Sequence, residues 1–210
     1  MDFLRTRVKI CGITRLEDAL AAVAQGCDAI GLVFYRHSPR YVSPEQAAFI
    51  MAGIPAFVSV VGLFVDAEPD EIRAVLSRVR LDIIQFHGSE SPDQCELYGL
   101  PYIKAIRVKA DTNLLQYALD FKRAKALLLD AFMEGVPGGT GQVFDWGIIP
   151  QKLPLPVVLA GGLTAENVGT AIEAVRPYAV DVSGGVEITK GIKDVAKIAA
   201  FMRGVSNAAI

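Results

Sequence analysis

The chain alternates between short apolar runs and longer amphipathic stretches. The apolar runs cover residues 8–10, 29–34, 57–65, 83–86, 102–108, 126–129, 157–160 and 179–182. They are mostly continuous in Val, Ile, Leu and Phe and do not alternate with polar residues. That is the pattern of parallel strands covered on both faces. Between them, Leu16, Ala19, Leu20 and Val23 fall at i, i+3, i+4 and i+7. So do Ile72, Val75, Leu76 and Val79; Val168, Ala171, Ile172 and Val175; and Val195, Ile198, Ala199 and Met202. Each set predicts a helix with one apolar stripe. Ser43-Pro44 with Gln46, and Ser91-Pro92 with Gln94, put a capping residue before a proline at the first helical position. Thr14 with Glu17 reads as a capping box. Helical patterning is weak within 102–118 and 144–149.

Counted this way, the chain holds roughly eight β-then-α units of about 26 residues each. Eight such units close into a barrel, so the expected fold is α/β, a single (β/α)8 TIM barrel, with residues 1–210 as one domain. A doubly wound open sheet is the alternative. Glycine-rich loops after the late strands favour the barrel, because barrels bind phosphate there.

Composition narrows the function. Of 210 residues, 52% are hydrophobic, enough to bury a sizeable core, and the formal net charge is only -2. No basic stripe points to nucleic acid. No apolar run reaches the ~20 residues of a membrane span. An anionic substrate must therefore be held by a local site. No apolar segment of signal-peptide type follows Met1–Arg7. The three cysteines, Cys11, Cys27 and Cys95, are widely spaced and form no C-x-x-C pair. That argues against a disulfide framework or a zinc site and suits a reducing, cytoplasmic setting. Neither a metal-ligand cluster nor a dinucleotide fingerprint is present, so no metal and no cofactor is expected.

In both candidate folds ligands sit at the C-terminal ends of the strands. Cys11 follows the first strand and should point into the barrel mouth; a small buried hydrophobe is the alternative reading. Asp130 directly follows the sixth apolar run, where an acid is costly unless paired or at the mouth. Partial burial there would raise its pKa and suit a general acid. Gly161 and Gly162 follow the seventh strand; Asp181, Ser183 and Gly184 end the eighth. Glycine lets backbone N–H groups approach an anion closely. Gly139 and Gly141, in a glycine-rich loop after the sixth strand, could add a donor to a closing loop. Arg40 lies in a cationic, aromatic stretch after the second strand, suited to an aromatic carboxylate or simply solvated. His87 ends the fourth strand and could hydrogen-bond substrate or orient a loop. His37 reads as surface, and Cys27 and Cys95 as packing.

Taken together, the segments Val8-Lys9-Ile10-Cys11-Gly12-Ile13-Thr14, Gly31-Leu32-Val33-Phe34, Ser38-Pro39-Arg40-Tyr41-Val42, Gln85-Phe86-His87-Gly88, Leu128-Leu129-Asp130, Leu159-Ala160-Gly161-Gly162-Leu163 and Asp181-Val182-Ser183-Gly184-Gly185-Val186-Glu187 resemble the phosphoribosylanthranilate isomerase family of tryptophan biosynthesis. The likeness runs from about Arg7 to Lys193, and the opening motif is its most specific part. It implies an Amadori rearrangement of N-(5-phosphoribosyl)anthranilate to 1-(2-carboxyphenylamino)-1-deoxyribulose 5-phosphate. It implies Cys11 as general base, Asp130 as general acid and Arg40 as the contact to the anthranilate. It names no partner beyond the small-molecule substrate and leaves monomer or homodimer open. The last motif reads Ser-Gly-Gly where the family more often has Ser-Ser-Gly, so at Gly184 only a backbone N–H is offered to phosphate. Two other readings stand beside this one: a related phosphosugar isomerase of histidine biosynthesis, which pairs two aspartates, and a non-catalytic phosphometabolite-binding barrel. Cys11 argues against the first, and the joint presence of Cys11 and Asp130 against the second.

Overall fold

A computed structural model describes residues 5–109, 111–130 and 146–208. Its eight parallel strands are β1 (Arg7–Cys11), β2 (Ala29–Val33), β3 (Ser59–Phe64), β4 (Ile83–Phe86), β5 (Tyr102–Arg107), β6 (Ala126–Asp130), β7 (Val157–Ala160) and β8 (Ala179–Val182). They pair in chain order, and β8 closes on β1 to complete the barrel. The open-sheet alternative is thereby excluded. The helices are α1 (Leu16–Ala24), α2 (Pro44–Ala52), α3 (Pro69–Leu76), α4 (Pro92–Cys95), α5 (Leu114–Asp120), α6 (Val168–Val175) and α7 (Val195–Asn207). A 3₁₀ turn at Trp146–Ile148 precedes β7, and another at Gly184–Val186 follows β8. A small antiparallel hairpin, β9 (Glu187–Thr189) and β10 (Ile192–Lys193), leads into α7. Among the described residues no helix is long and apolar enough to cross a membrane.

The strands are continuously apolar because both faces are covered. Val8, Ile10, Ile30, Leu32, Leu127, Leu129, Leu159 and Val180 join the large outer core that packs against the helices. Ile103, Ala105, Ala126, Leu128, Val158, Ala160 and Ala179 form a separate inner cluster. Cys11, Val33 and Leu63 make a third cluster, higher in the barrel.

Two of the three capping signals in the sequence form in the structure. Ser43 accepts from the Gln46 N–H at 3.2 Å, and Ser91 and Gln94 form a full capping box. The Thr14–Glu17 box is absent. The Thr14 hydroxyl donates to the Gly191 carbonyl, and α1 begins after Arg15, whose side chain pairs with Asp18. Among the described residues, the helical elements of the weakly patterned regions are the seven-residue α5 and the 3₁₀ turn at Trp146–Ile148.

Candidate active site

Every sequence-predicted site residue within the described chain lines one cavity of about 750 Å³ at the C-terminal ends of the strands: Cys11, Arg40, His87, Asp130, Gly161, Gly162, Asp181, Ser183 and Gly184. Gly139 and Gly141 lie outside the described residues. A neighbouring cavity of about 890 Å³ over β4 and β5 shares Val65 and His87. It touches neither Cys11, Asp130 nor the glycine loops.

On β1 the pleat sends Val8 and Ile10 outward and Lys9 and Cys11 inward. Cys11 faces Gly31 of β2 in register. A Cβ at Gly31 would lie 2.7 Å from Cys11 Sγ and 3.1 Å from Lys9 Nζ, so glycine is what gives both side chains room. Lys9 Nζ donates to Asp181 Oδ1 at 2.9 Å, with side chains 5% and 9% exposed. Burial works against the ammonium, but Asp181 and Cys11 outweigh it and raise the Lys9 pKa. Burial also pushes the Cys11 thiol up, Asp181 adds to that, and Lys9 pulls against it without prevailing. Cys27 and Cys95 are buried packing residues, their thiols pushed up to about 12 by burial.

Asp130 ends β6, in register with Arg107 of β5 and Ala160 of β7. Its side chain keeps 23% exposure, and its Oδ2 stands 3.6 Å from His87 Nε2. The His87 backbone N–H donates to the Phe64 carbonyl at 2.8 Å, which ties the end of β4 to the end of β3. Gln85 Nε2 meets His87 Nδ1 at 3.0 Å.

The glycine loops lie at the rim of this cavity. Gly161 and Gly162 have φ of 90° and 64°, a region that L side chains rarely adopt. Gly185 was not singled out, yet a Cβ there would sit 2.0 Å from the Leu163 carbonyl oxygen. It is the contact that lets the loops after β7 and β8 close on each other. The 3₁₀ turn at Gly184–Val186 supplies the short extra helical turn with which barrels often complete a phosphate site.

Arg40 is held by Glu187 through two 2.7 Å hydrogen bonds, from Nε and from an Nη. Its stem lies over Gly12, where a Cβ would be 2.4 Å from Cδ. Glu187 Oε1 also accepts from Lys193 Nζ at 2.9 Å. Burial acts against the Glu187 carboxylate, but Arg40 and Lys193 together hold its pKa below the usual carboxylate value. Lys193 reaches on to the Ser183 carbonyl at 3.1 Å. Its own pKa is lowered by burial, against Glu187. Lys9, Gln85 and Lys193 were missed as site residues. The signal for Lys9 was its parity with Cys11 on one short strand; no local signal marked Lys193. Tyr35 and Ser38 also line the cavity, and His37 is exposed as expected. Among the described residues no His, Cys, Asp and Glu cluster could hold a metal.

Fold and site together define a (β/α)8-barrel enzyme, with ionisable groups facing one mouth and two glycine loops at its rim. The family model for N-(5'-phosphoribosyl)anthranilate (PRA) isomerase matches residues 8–204. The N-(5'-phosphoribosyl)anthranilate isomerase of Nitrosococcus oceani is 58% identical over 204 residues, 97% of this chain and 99% of that protein. The crystal structure of phosphoribosyl anthranilate isomerase from Thermotoga maritima superposes with a TM-score of 0.87 at 44% identity, covering 96% of this chain and 98% of the other. Another, of a phosphoribosyl anthranilate isomerase in complex with reduced 1-(o-carboxyphenylamino)-1-deoxyribulose 5-phosphate, gives 0.85 at 43% identity, covering 96% and 98%. The chain belongs to the N-(5'-phosphoribosyl)anthranilate isomerase family and is an isomerase.

Proposed function

We propose that this chain, as a single domain over residues 1–210, converts N-(5'-phosphoribosyl)anthranilate to 1-(2-carboxyphenylamino)-1-deoxyribulose 5-phosphate in tryptophan biosynthesis, with Asp130 as acid and Cys11 as base. The observation that carries the reading is the joint presence of Cys11 and Asp130 in one cavity with the loops after β7 and β8. Asp130 protonates the ring oxygen. The C1–O bond breaks as the anilino nitrogen lone pair forms C1=N. The Cys11 thiolate takes the C2 proton, and the electron pair neutralises the iminium as a C1=C2 enolamine. The thiol returns its proton to C1, the C2 hydroxyl proton passes to Asp130, and the ketone is left. Atoms balance without an oxidant, metal or cofactor.

Burial raises the Cys11 thiol, so the base needs help from the substrate. The iminium supplies it, because a cation beside C2 favours a nearby thiolate and acidifies the C2–H. The phosphate is bound by backbone N–H groups of Gly161, Gly162 and Gly184, with Ser183 beside them. Gly139 and Gly141 add donors from the loop after β6. His87 and Asp181 border the sugar, and Arg40 takes the anthranilate carboxylate. The protein acts in the cytoplasm as a monomer or homodimer, alternatives that light scattering separates.

Turnover of phosphoribosylanthranilate, followed by anthranilate-type fluorescence, is the test. Asp130→Asn and Cys11→Ala should each lose at least ~10²-fold in turnover on the general acid–base scale. Cys11→Ser, a weaker base, should expose a primary isotope effect with deuterium at C2. Near-normal turnover of Cys11→Ala with intact C2 exchange removes Cys11 as the base. Turnover of the aminoimidazole substrate of histidine biosynthesis in place of phosphoribosylanthranilate overturns the reading entirely.

A further inference from the structure

Among the described residues, Gln85 is the one neutral polar side chain that points from the middle of a barrel strand into the cavity while being fully buried, at 0% exposure. Its Nε2 lies 3.0 Å from His87 Nδ1. Its Oε1 is one of two buried side-chain polar atoms without a hydrogen-bond partner among the described residues, the other being the Tyr102 hydroxyl. An amide facing an imidazole selects its tautomer. With Nε2 donating, Nδ1 must carry the lone pair, and the ring proton sits on Nε2. Turned the other way, the amide oxygen would accept from Nδ1–H, and both Nε2–H donors would be left buried. Orphaned N–H groups are rarer than under-satisfied carbonyl oxygens, so the first orientation is favoured.

The Nε2 side of the ring is the side that faces Asp130, 3.6 Å away. Two other carboxylates near His87, Glu90 and Asp66, are already engaged. Glu90 accepts from Lys104 Nζ at 2.7 Å and from the Asp66 N–H at 2.8 Å. Asp66 accepts from the Ser89 N–H at 2.6 Å. Arg107 of β5, Lys109 and Asp111 line the neighbouring cavity with His87. Among the described residues, no carboxylate other than that of Asp130 is paired with the ring.

We infer that Gln85 is a positioning residue: it fixes His87 as the Nε2–H tautomer, so that the ring presents a donor to the carboxylate that Asp130 becomes once it has given up its proton. The inference rests on the reading of Asp130 as the acid. The 3.6 Å separation is just outside hydrogen-bond distance, and catalytic hydrogen bonds commonly tighten in the reacting complex. The opposite tautomer would set a lone pair against that carboxylate and work against proton donation.

The chain has only two histidines, His37 and His87, so the test is direct. In enzyme labelled with 15N-histidine, His37→Gln assigns the His87 ring. Native protein should show a protonated Nε2 and an unprotonated Nδ1. Gln85→Leu should lose that single-tautomer pattern. Gln85→Glu, which places an acceptor opposite Nδ1, should move a proton onto Nδ1. In kinetics both variants should lose about 10–100-fold in kcat, the worth of one hydrogen bond to a charged group, with KM nearly unchanged. A merely structural role would lower thermal stability and raise KM without changing the tautomer. A native ring protonated on Nδ1 overturns the inference and leaves the overall reaction untouched. The expected tautomer with unchanged kcat in both variants overturns the link to Asp130. Loss of kcat in Gln85→Leu beside a fully active Asp130→Asn would instead mark failure of the acid assignment.

Discussion

Lys9→Met removes a cation from the inside of the barrel and should act on stability and chemistry at once. The Lys9–Asp181 pair is almost out of solvent, at 5% and 9% side-chain exposure, so water screens little of the loss. Removing one partner of such a pair leaves an uncompensated charge and costs about 3–5 kcal/mol, whereas replacing both with apolar side chains is often neutral. At about 2–4 °C per kcal/mol for a chain of this size, Tm should fall by roughly 6–20 °C. The double variant Lys9→Met/Asp181→Leu should recover most of that fall. The double-mutant cycle, run by urea unfolding, reads the coupling directly. Lys9 also opposes the rise in the Cys11 thiol that burial causes. Without Lys9 the thiol rises further, so less thiolate exists at any given pH. With Cys11 as the proposed base, the rise of kcat/KM with pH should lie above the ordinary thiol range in the native enzyme and move higher still in Lys9→Met. The double variant should be stable yet poorly active, because it also removes Asp181 from the cavity wall. A Tm loss below about 2 °C in Lys9→Met, or a double variant no more stable than the single one, refutes the electrostatic argument.

Gly162→Asp puts a carboxylate at φ 64° in the loop after β7, where a Cβ meets nothing within 4 Å. KM should rise strongly and inhibition by inorganic phosphate should vanish, while unchanged values would remove this loop from the phosphate site. Arg40→Ala should raise KM for the anthranilate substrate more than it weakens ribose 5-phosphate binding; equal losses would mean that Arg40 serves chiefly to neutralise Glu187. Arg176 holds a left-handed conformation, φ 49° and ψ 54°, at the C-terminal cap of α6. Arg176→Gly should therefore stabilise by about 0.5–1 kcal/mol, the left-handed strain relieved less the extra unfolded-state entropy of glycine, with turnover unchanged.

The barrel was legible because its strands are buried on both faces, so continuous apolar runs marked them almost residue for residue. The misses came where tertiary contacts override local preference. The third run was read from Phe57, but Phe57 has φ 72° and is fully exposed, and the strand starts at Ser59. Leu20 was placed on a buried stripe, yet it is 42% exposed while Asp18 is buried against Arg15 and the Lys193 N–H. On α7 the buried face is Ile198, Phe201 and Val205, with Val195 outside it. Cys11, Asp130 and the glycine loops are legible from position alone, because they stand at the C-terminal ends of strands, where the barrel mouth lies. For Lys9 the parity with Cys11 is legible but the partner is not: only closure of β8 against β1 brings Asp181 to meet it.

That closure explains why two of the three missed residues, Lys9 and Lys193, lie in one part of the molecule. Thr14 bonds to Gly191, Asp18 to the Lys193 backbone, Lys9 to Asp181 and Arg40 to Glu187. Each contact ties the first fifth of the chain to the segment 181–193, across the seam where β1 meets β8. The parallel ladder alone supplies backbone hydrogen bonds there, but it does not prevent β1 from slipping in register. A slip of one residue would turn Lys9 and Cys11 outward and Val8 and Ile10 into the mouth. A lysine forced among the apolar helices would have no carboxylate to meet, which makes the slipped register costly. The same ion pair that sets the charge around Cys11 therefore also selects the register that presents Cys11 to the cavity. Formation of the site and closure of the barrel are one event, and a loss of activity from any of these four contacts has to be measured beside stability before it is assigned to chemistry.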